Sequence, residues 1–410
     1  MQDNEKKPAL RFKGFTDPWE QRKLTNLCEK FTDGDWIEAK DQSDSGVRLV
    51  QTGNVGVTEY LDKPNNKKWI SFETFEQLHC EEVYPGDILI SRLPEPAGRA
   101  CIMPNLGTKM ITAVDCTIVR PNAVTSTRFL LQYLSSQAYF DAVNTCLAGG
   151  TRQRISRGNL AQFNVPIPSS KIEQEKIGEV LEKLDTLITL HQRKYEKLVN
   201  IKKSMLDKMF PKNGASVPEI RFKGFTDPWE QRKLKELYFQ LTERNTDLLP
   251  YQKTLSVATM SFKTDGNGAA DTSLANYKRL RTGDIAFEGH TSKEFRYGRF
   301  VLNDVGDGIM SPRFSALRPL HEMPINFWKY YIHYEPIMRK VLVNSTKAGT
   351  MMNELVINDF LQGSILVPSM AEQQAIGRFF KQLDTLITLH QRKLEKLQNI
   401  KKSCLEKMFV

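Results

Sequence analysis

Cysteine and histidine are scarce in this chain, with six of each among 410 residues. The cysteines show no Cys-x-x-Cys spacing and the histidines show no ligand spacing, so the sequence predicts no metal site. No apolar run reaches the length of a membrane span or of a signal-peptide core. We therefore expect a reduced, cytoplasmic protein without a cofactor.

Motifs for catalysis are also missing. An adenine methyltransferase needs a glycine-rich loop for S-adenosylmethionine and an Asn/Asp-Pro-Pro-aromatic segment for the flipped base, and Asp17-Pro18-Trp19 lacks the second proline. A metal-dependent nuclease needs clustered carboxylates beside a lysine, and no Pro-Asp precedes Glu38-Ala-Lys40 at a suitable distance. The sequence predicts that the chain is not an enzyme.

The charge is unbalanced towards basic residues. Lysine and arginine number 58 against 48 acidic residues, which gives a net charge of +10. A basic surface attracts polyanions and speeds their encounter with the protein. The length predicts two or three domains, and 40% hydrophobic residues can supply their cores.

The chain contains a tandem duplication. Residues 11–24, with the sequence Arg-Phe-Lys-Gly-Phe-Thr-Asp-Pro-Trp-Glu-Gln-Arg-Lys-Leu, recur without one change at 221–234. Residues 184–210 recur at 383–409 with only four differences in 27 positions. Each copy of this second repeat follows a Glu-Gln-x-x-Ile-Gly motif, which begins at Glu173 or at Glu372.

The second repeat predicts two long helices. Apolar residues recur every three or four positions, which places one apolar stripe along a helix and is typical of coiled-coil packing. Residues 171–185 carry five acids and three bases, whereas 392–407 carries six bases and two acids. This complementarity favours antiparallel pairing of the two helices. The second helix is neutral over 371–385, so the argument from charge applies at one end only.

The stretches between these repeats have diverged, yet both predict mixed β and α structure. Strands are expected at 47–50, 68–72, 87–91 and 110–119, followed by one helix over 128–146. The second copy repeats this plan with strands near 255–259, 284–287, 297–302 and 314–318 and a helix over 326–345. The predicted fold class is therefore α/β (α+β), a tandem pseudo-symmetric duplication of two mixed α/β domains separated by two long antiparallel helices that form a coiled coil.

Identical scaffolds that carry two divergent regions resemble the DNA-specificity subunits of Type I restriction-modification systems. The resemblance covers essentially the whole chain. Its local features are the entry motif Arg-Phe-x-Gly-Phe-x-x-x-Trp-Glu, the segment Gly-Gly-Thr-Arg-Gln-Arg-Ile-Ser that ends at Ser156, and the Glu-Gln-x-x-Ile-Gly helices.

The resemblance implies that each variable region is a target-recognition domain that reads one half of a bipartite double-stranded DNA sequence. It implies that the helices set the spacer, that they dock the modification (methyltransferase) subunits, and that a restriction subunit joins them. The predicted division is 1–170 for the entry segment and first target-recognition domain, 171–212 for the first long helix, 213–369 for the linker, the repeated entry segment and the second domain, and 370–410 for the second long helix.

Candidate DNA contacts are the side chains that can read base edges or bind phosphates. The strongest candidate is the loop after Gly150, although an ordinary exposed basic turn is the competing interpretation. The second domain departs from this loop, with Thr350-Met-Met-Asn353 in its place. The candidates are Thr151, Arg152, Gln153, Arg154, Ser156 and Arg157 in that loop, Gln51, Thr52 and Asn54 in a polar turn, Arg92 and Arg99, and His290, Lys293, Arg296 and Arg299 in the second copy.

The paired helices are expected to leave apolar positions facing outwards, because one antiparallel pair cannot cover the whole stripe. A four-helix arrangement with another subunit would cover these positions. The predicted partner-binding residues are Leu187, Leu190, Ile201 and Met209 with their counterparts Leu386, Leu389, Ile400 and Met408.

Two alternatives stay open at the level of sequence. The chain could be a coiled-coil interaction protein whose two domains bind ligands other than DNA, or it could be an unrecognised nuclease or methylase. A DNA binder loses affinity steeply as salt rises because counterion release drives binding. Incubating the lone chain with DNA and cofactor would reveal an enzyme.

Overall fold

A computed structural model describes residues 7–149, 153–212, 214–263 and 271–409. The chain divides into two compact units. The first unit comprises Met1–Arg193 together with Gln391–Val410, and the second comprises Lys194–His390. Each long helix contributes residues to both units. In the described part of the chain, no helix is both long enough and apolar enough to cross a membrane.

The first unit begins with a strand that closes onto the end of its own variable region. Its strands are β1 Glu20–Lys23, β2 Cys28–Asp33, β3 Gln42–Ser43, β4 Val47–Val50, β5 Lys68–Ile70, β6 Ile88–Ser91, β7 Ala100–Ile102, β8 Met110–Thr112, β9 Cys116–Pro121 and β10 Asn164–Ile167. Its helices are α1 Phe72–Gln77, α2 Thr127–Tyr133, α3 Gln137–Thr145, α4 Arg157–Gln162 and the first part of α5 Lys171–Lys208.

Two four-stranded sheets form the variable region of the first unit, in the orders β2-β9-β6-β7 and β3-β5-β4-β8. Strand β6 is buried on both faces. Its residues Ile88 and Ile90 join the core that contains helices α2 and α3, whereas Leu89 points into the core on the other side. Successive side chains of a strand point to opposite faces, and both faces of β6 meet a core. For this reason Ile88, Leu89 and Ile90 form a continuous apolar run.

The second unit follows the same plan with a smaller second sheet. Its main sheet has the order β12-β19-β16-β17, and β11 pairs with β22 as β1 pairs with β10. Its strands are β11 Glu230–Lys233, β12 Tyr238–Gln240, β13 Leu255–Ser256, β14 Ser261–Phe262, β15 Lys278–Leu280, β16 Ile285–Glu288, β17 Arg299–Leu302, β18 Gly308–Met310, β19 Ala316–Pro319, β20 Thr346–Lys347, β21 Glu354–Leu355 and β22 Ser364–Val367. Its helices are α6 Ile325–Tyr331, α7 Glu335–Ser345, α8 Ile357–Gln362 and the first part of α9 Met370–Met408, and the rest of α5 also belongs to it.

The long helices pair antiparallel within each unit, as predicted. In the first unit Asp185 of α5 forms an ion pair with Lys401 of α9. In the second unit the equivalent Lys202 and Asp384 lie 2.6 Å apart. The sequence showed complementary charge at only one end of the helix pair. The duplication nevertheless places the same aspartate and lysine in both helices, so the ion pair forms twice.

The repeated motifs meet in a buried ion pair. The Arg11 guanidinium donates to both carboxylate oxygens of Glu173 at 2.7 and 2.9 Å, and Arg221 donates to Glu372 at 2.7 Å twice. Each glutamate is 1% exposed. The hydrogen bond to Glu173 raises the pKa of Arg11. This pair joins the entry segment to the first turn of the long helix in both units.

A glycine and an aromatic cluster complete the junction of helix and variable region. A Cβ atom on Gly178 would lie 2.7 Å from the backbone nitrogen of Phe129, so only glycine lets α5 approach the start of α2 this closely. Gly377 meets Phe327 in the same way, at 2.8 Å. The Glu-Gln-x-x-Ile-Gly motif therefore packs against α2 or α6 in its own unit.

Three of the differences between the structure and the predicted elements have a clear local cause. The helix expected over 128–146 is two helices, because Ser136 accepts a hydrogen bond from the Tyr139 N–H and caps a new helix start. The helix expected over 326–345 is also two, since Pro336 lies in the first turn of α7. The strand expected over 110–119 is split by the turn at Asp115 into β8 and β9.

Candidate nucleic-acid interface

Three strand ends of the first unit meet at one edge of its main sheet. Strand β2 ends at Asp33 and β6 ends just before Arg92, whereas β9 begins just after Asp115. Antiparallel pairing sets Asp33 opposite Thr117 and Ser91 opposite Cys116. Residues that are distant in sequence therefore come together at this edge.

Arginine and aspartate side chains converge there in a group that we call the arginine–aspartate cluster: Arg92, Arg154, Arg157, Asp33 and Asp115. Arg92 lies 3.5 Å from Asp33 and 4.0 Å from Asp115. Arg154 lies 3.5 Å from Asp115, and Arg157 lies 3.8 Å from Asp33. The Arg154 side chain is 61% exposed and that of Arg157 is 47% exposed, whereas that of Arg92 is 8% exposed. The cluster thus presents two arginines to solvent above a buried third.

The backbone fixes the loop that carries these two arginines. The Ile155 N–H donates to the Arg92 carbonyl at 3.1 Å, and the backbones of Arg154 and Ala148 pair as an isolated antiparallel β-bridge. The Ile155 side chain is fully buried. Ser156 caps helix α4 by accepting a hydrogen bond from the Asn159 N–H at 3.0 Å. Gln153 is exposed beside them, and Thr151 and Arg152 lie outside the described residues.

Other predicted contacts in this unit have structural roles. Arg99 donates to the backbone carbonyls of Thr52, Val55, Leu93 and Pro96 at 2.6–3.0 Å, and burial lowers the pKa of its guanidinium. The Asn54 side chain is 3% exposed; its oxygen accepts from the Gln51 N–H and its nitrogen donates to the Leu61 carbonyl. Gln51 and Thr52 are half-buried. Asn54 and Arg99 therefore hold the turns together, because their polar atoms bind main-chain groups.

The candidates in the second unit gather around the end of β16. The exposed His290 ring lies 2.5 Å from the carboxylate of Glu288, which is 5% exposed. The Arg299 guanidinium donates to the Ala258 carbonyl at 3.0 Å and lies 4.9 Å from the centre of the Phe295 ring. Arg296 and Lys293 are exposed. Arg299 is thus fixed by contacts within the unit, whereas Arg296 and Lys293 face solvent.

The loop at 350–353 occupies the place of the first unit's arginine loop. The Asn353 N–H donates to the Gly289 carbonyl at 2.8 Å, much as Ile155 binds Arg92. A Cβ atom on Gly289 would lie 2.1 Å from the Asn353 carbonyl oxygen, so glycine is required there. Met351 is 70% exposed and lies 3.6 Å from the Arg313 guanidinium. The backbone attachment is therefore retained while the side chains have changed.

Asp33, Asp115 and Arg313 were not among the residues predicted from the sequence. Asp33 is the last residue of β2 and Asp115 lies in the turn before β9, and acidic residues at strand ends and turns are expected from turn chemistry alone. Only the sheet topology brings these carboxylates to the arginines. Arg313 lies in the turn between β18 and β19 and has no motif around it.

The predicted partner-binding residues divide into two groups. The side chains of Leu187, Leu190, Leu386, Leu389 and Ile400 are 39–44% exposed, and Ile201 is half-buried. Met209 and Met408 differ from the prediction, because they are 2% and 5% exposed. Each lies in the core beside the following phenylalanine, since the end of each long helix enters the aromatic core of a unit.

The family model for the Type I restriction modification DNA specificity domain matches residues 16–200 and 227–399. These ranges cover most of the chain, which therefore belongs to this family. It is a DNA-specificity subunit of a Type I restriction-modification system, as the resemblance implied, and it is not the enzyme of that system. A coiled-coil protein with two ligands other than DNA is correspondingly disfavoured.

Individual relatives agree with this assignment. The chain is 21% identical over 412 residues to a Methanocaldococcus jannaschii protein described as the MjaX specificity subunit of a type I restriction enzyme, covering 94% of this chain and 91% of the relative. The crystal structure of a Type I restriction-modification S subunit from M. genitalium has a TM-score of 0.62 at 14% identity, over 98% of this chain and 99% of that one. The fold is therefore shared with that S subunit.

Proposed function

We propose that the chain recognises a bipartite DNA sequence, with one half read by each unit. The observation that carries the proposal for the first unit is the arginine–aspartate cluster at the edge of its main sheet. Arg154 and Arg157 present guanidinium groups to solvent from a loop that the backbone holds in place. A preorganised arginine is well suited to guanine O6 and N7 in the major groove. Exposed Gln153, Lys293 and Arg296 are further candidates for base or phosphate contacts.

The remaining parts of the proposal concern assembly. The two recognition domains correspond to 1–170 and 213–369, and the conserved helices to 171–212 and 370–410. The helices determine the number of unread base pairs between the half-sites and dock the modification subunits, and a restriction subunit joins that assembly. The complex acts in the cytoplasm, in contact with the DNA that it recognises.

Replacing Arg154 or Arg157 with alanine should weaken recognition of the first half-site. If the arginine binds a base, we expect a loss of about 1 to 3 kcal/mol of discrimination at one position. If it binds a phosphate, all sequences should bind more weakly and the salt slope should fall by about one. The measurement is binding of the assembled complex to target and scrambled duplexes at several salt concentrations.

Arg22→Ala is the matched control for these two variants. Arg22 is also exposed in the first unit, on β1, where it pairs with Glu20 at 2.7 Å, outside the cluster. Its loss should change binding little. Unchanged affinity and discrimination in both Arg154→Ala and Arg157→Ala would refute the assignment of the loop to DNA.

Replacing Leu187 and Leu190 together with serine should disrupt docking of the modification subunit. Both leucines are more than two-fifths exposed, and burying a leucine contributes about 1.5 to 3 kcal/mol. Affinity for the modification subunit should therefore fall more than tenfold, since 1.4 kcal/mol corresponds to about tenfold. The measurement is co-purification followed by titration of the two proteins.

Val124→Ser serves as the control for the leucine variant, because the Val124 side chain is 56% exposed but lies just before α2, outside the leucine stripe of the long helices. The wild-type chain expressed alone should be poorly soluble, and co-expression should rescue it. A leucine variant that assembles as well as the Val124 variant would contradict docking through this stripe.

A further inference from the structure

Two carboxylates lie among the arginines that we assign to DNA contact, which is an unexpected place for negative charge. Binding energy for DNA comes largely from neutralised phosphates, and a carboxylate near them weakens that attraction. Asp33 nevertheless faces Arg92 and Arg157, and Asp115 faces Arg92 and Arg154. Three guanidinium groups and two carboxylates leave the cluster with one net positive charge.

The spacing in this cluster differs from that of structural ion pairs in the same unit. Arg11 with Glu173 and Arg120 with Asp87 form bidentate hydrogen bonds of 2.7–2.9 Å. The pairs in the cluster are 3.5–4.0 Å apart, beyond hydrogen-bonding distance for N–H and oxygen. Charge attraction therefore draws the arginines to the aspartates without occupying all their donors.

Two buried atoms in the cluster support this description. Within the described residues, the Arg92 Nε and Asp115 Oδ1 atoms are buried and have no hydrogen-bond partner. Arg92 is more than nine-tenths buried, so water does not replace that partner freely. Asp33 is fixed from below by the Thr117 hydroxyl, which donates to it at 2.9 Å. One carboxylate is thus anchored in the sheet, and the buried Arg92, which donates to the Val114 carbonyl at 2.6 Å, keeps its Nε donor free.

We infer that Asp33 and Asp115 are specificity-determining positioning residues for the first half-site. This inference rests on the proposed function of the arginine loop. The carboxylates hold the guanidinium groups in positions from which they can contact a base edge. They also lower the positive charge of the cluster, which would otherwise favour contact with any phosphate. Specificity often depends on such a repulsive element as well as on attractive contacts, and phosphate contacts carry no sequence information.

Asp33→Asn and Asp115→Asn test this inference, because each removes a charge and preserves the shape. In the assembled complex, affinity for a random-sequence duplex pool should rise several-fold. The slope of log affinity against log salt should steepen by up to about 0.9, the value for one more phosphate contact. Sequencing the bound fraction of the pool should show weaker base preference in the first half-site, while the second half-site serves as the internal control.

A double variant separates positioning from simple loss of structure. If Asp33 acts through Arg157, then adding Arg157→Gln to Asp33→Asn should remove most of the gain in affinity for the pool. A structural defect would instead lower the affinity for all DNA and the unfolding temperature. If Asp33→Asn folds poorly, Asp115→Asn tests the same inference through its effect on pool affinity and salt slope.

The outcomes distinguish this inference from the proposed function. Failure of the wild-type complex to enrich any sequence at the first half-site would overturn the proposed function itself. Wild-type enrichment with unchanged or weaker pool binding in both aspartate variants would overturn only the inference. A switch to a different preferred base, without loss of preference, would also overturn it, because the aspartate would then be reading the base directly.

Discussion

Replacing Glu173 with alanine should lower the free energy of unfolding by about 3 to 5 kcal/mol. The substitution leaves the Arg11 guanidinium, whose side chain is only 12% exposed, without the carboxylate that it binds at 2.7 and 2.9 Å. A buried charge without its partner is costly, although an intact buried pair adds little net stability. Urea denaturation of the full chain should show the change.

Hydrogen exchange should localise the damage. The backbone of the entry segment and of the first turns of α5 should lose protection, because the ion pair joins these two elements. Glu372→Ala is the equivalent variant in the second unit, where Arg221 would lose its partner. It should destabilise the chain to a similar extent and expose the second entry segment instead.

Glu179→Ala is the matched control on the same helix. Glu179 pairs with Lys183 at 2.7 Å, but both side chains are more than half exposed. Surface pairs of this kind contribute little to stability, because water and salt screen their charges. Equal effects of Glu173→Ala and Glu179→Ala would contradict the view that the buried pair locks the entry segment to the helix.

The duplication made the scaffold predictable from sequence. Apolar residues at every third or fourth position, and a nearly identical copy of this stretch elsewhere in the chain, predicted both long helices and their antiparallel pairing. The helices end at Lys208 and Met408. The following Phe210 and Phe409 are apolar and helix-compatible, but they turn into the cores of the units.

The candidate interface was predictable only in part. A loop rich in Arg, Gln and Ser was predictable from the local sequence, whereas its hydrogen bond to the Arg92 carbonyl, just after β6, was not. Asp33, Arg92, Asp115 and Arg154 come from segments far apart in sequence, and the register of β2, β6 and β9 alone decides that they meet. Composition also could not separate Arg99 from Arg154, because only burial and main-chain acceptors reveal that Arg99 is structural.

The strongest functional test uses the chain's own pseudo-symmetry. In each unit the phenylalanine at the end of a long helix packs against a tryptophan, a phenylalanine and a tyrosine at equivalent positions. Phe409 lies 5.3–6.3 Å from three rings, those of Trp19, Phe129 and Tyr133. Phe210 lies 5.2–6.4 Å from their counterparts, Trp229, Phe327 and Tyr331. The variable region of the second unit therefore already carries the phenylalanine and tyrosine that Phe409 requires, and the tryptophan belongs to the entry segment that both units share.

The polar contacts that join each variable region to its long helix and entry segment are also equivalent in the two units. Gln132 of α2 donates to Asp185, and Tyr330 at the equivalent position of α6 donates to Asp384. The N–H of Leu24 donates to the Phe163 carbonyl at 2.8 Å, and that of Leu234 donates to Gly363 at the same distance. These bonds mark where one variable region can replace the other without breaking a strand pair.

We therefore expect that replacing residues 25–163 with a copy of 235–363 will give a folded chain that reads the second unit's half-site twice. The original first half-site should disappear from the target, and the second should be unchanged, because each half is read by one variable region. The measurement is methylation mapping in cells that express the grafted chain with the modification subunits.

The same graft carrying Phe327→Ala in the new copy is the control. It should lose about 3 to 5 kcal/mol of core packing against Phe409 and yield no modification. Retention of the first half-site by the intact graft, or alteration of the second, would show that recognition is not confined to the variable region of each unit.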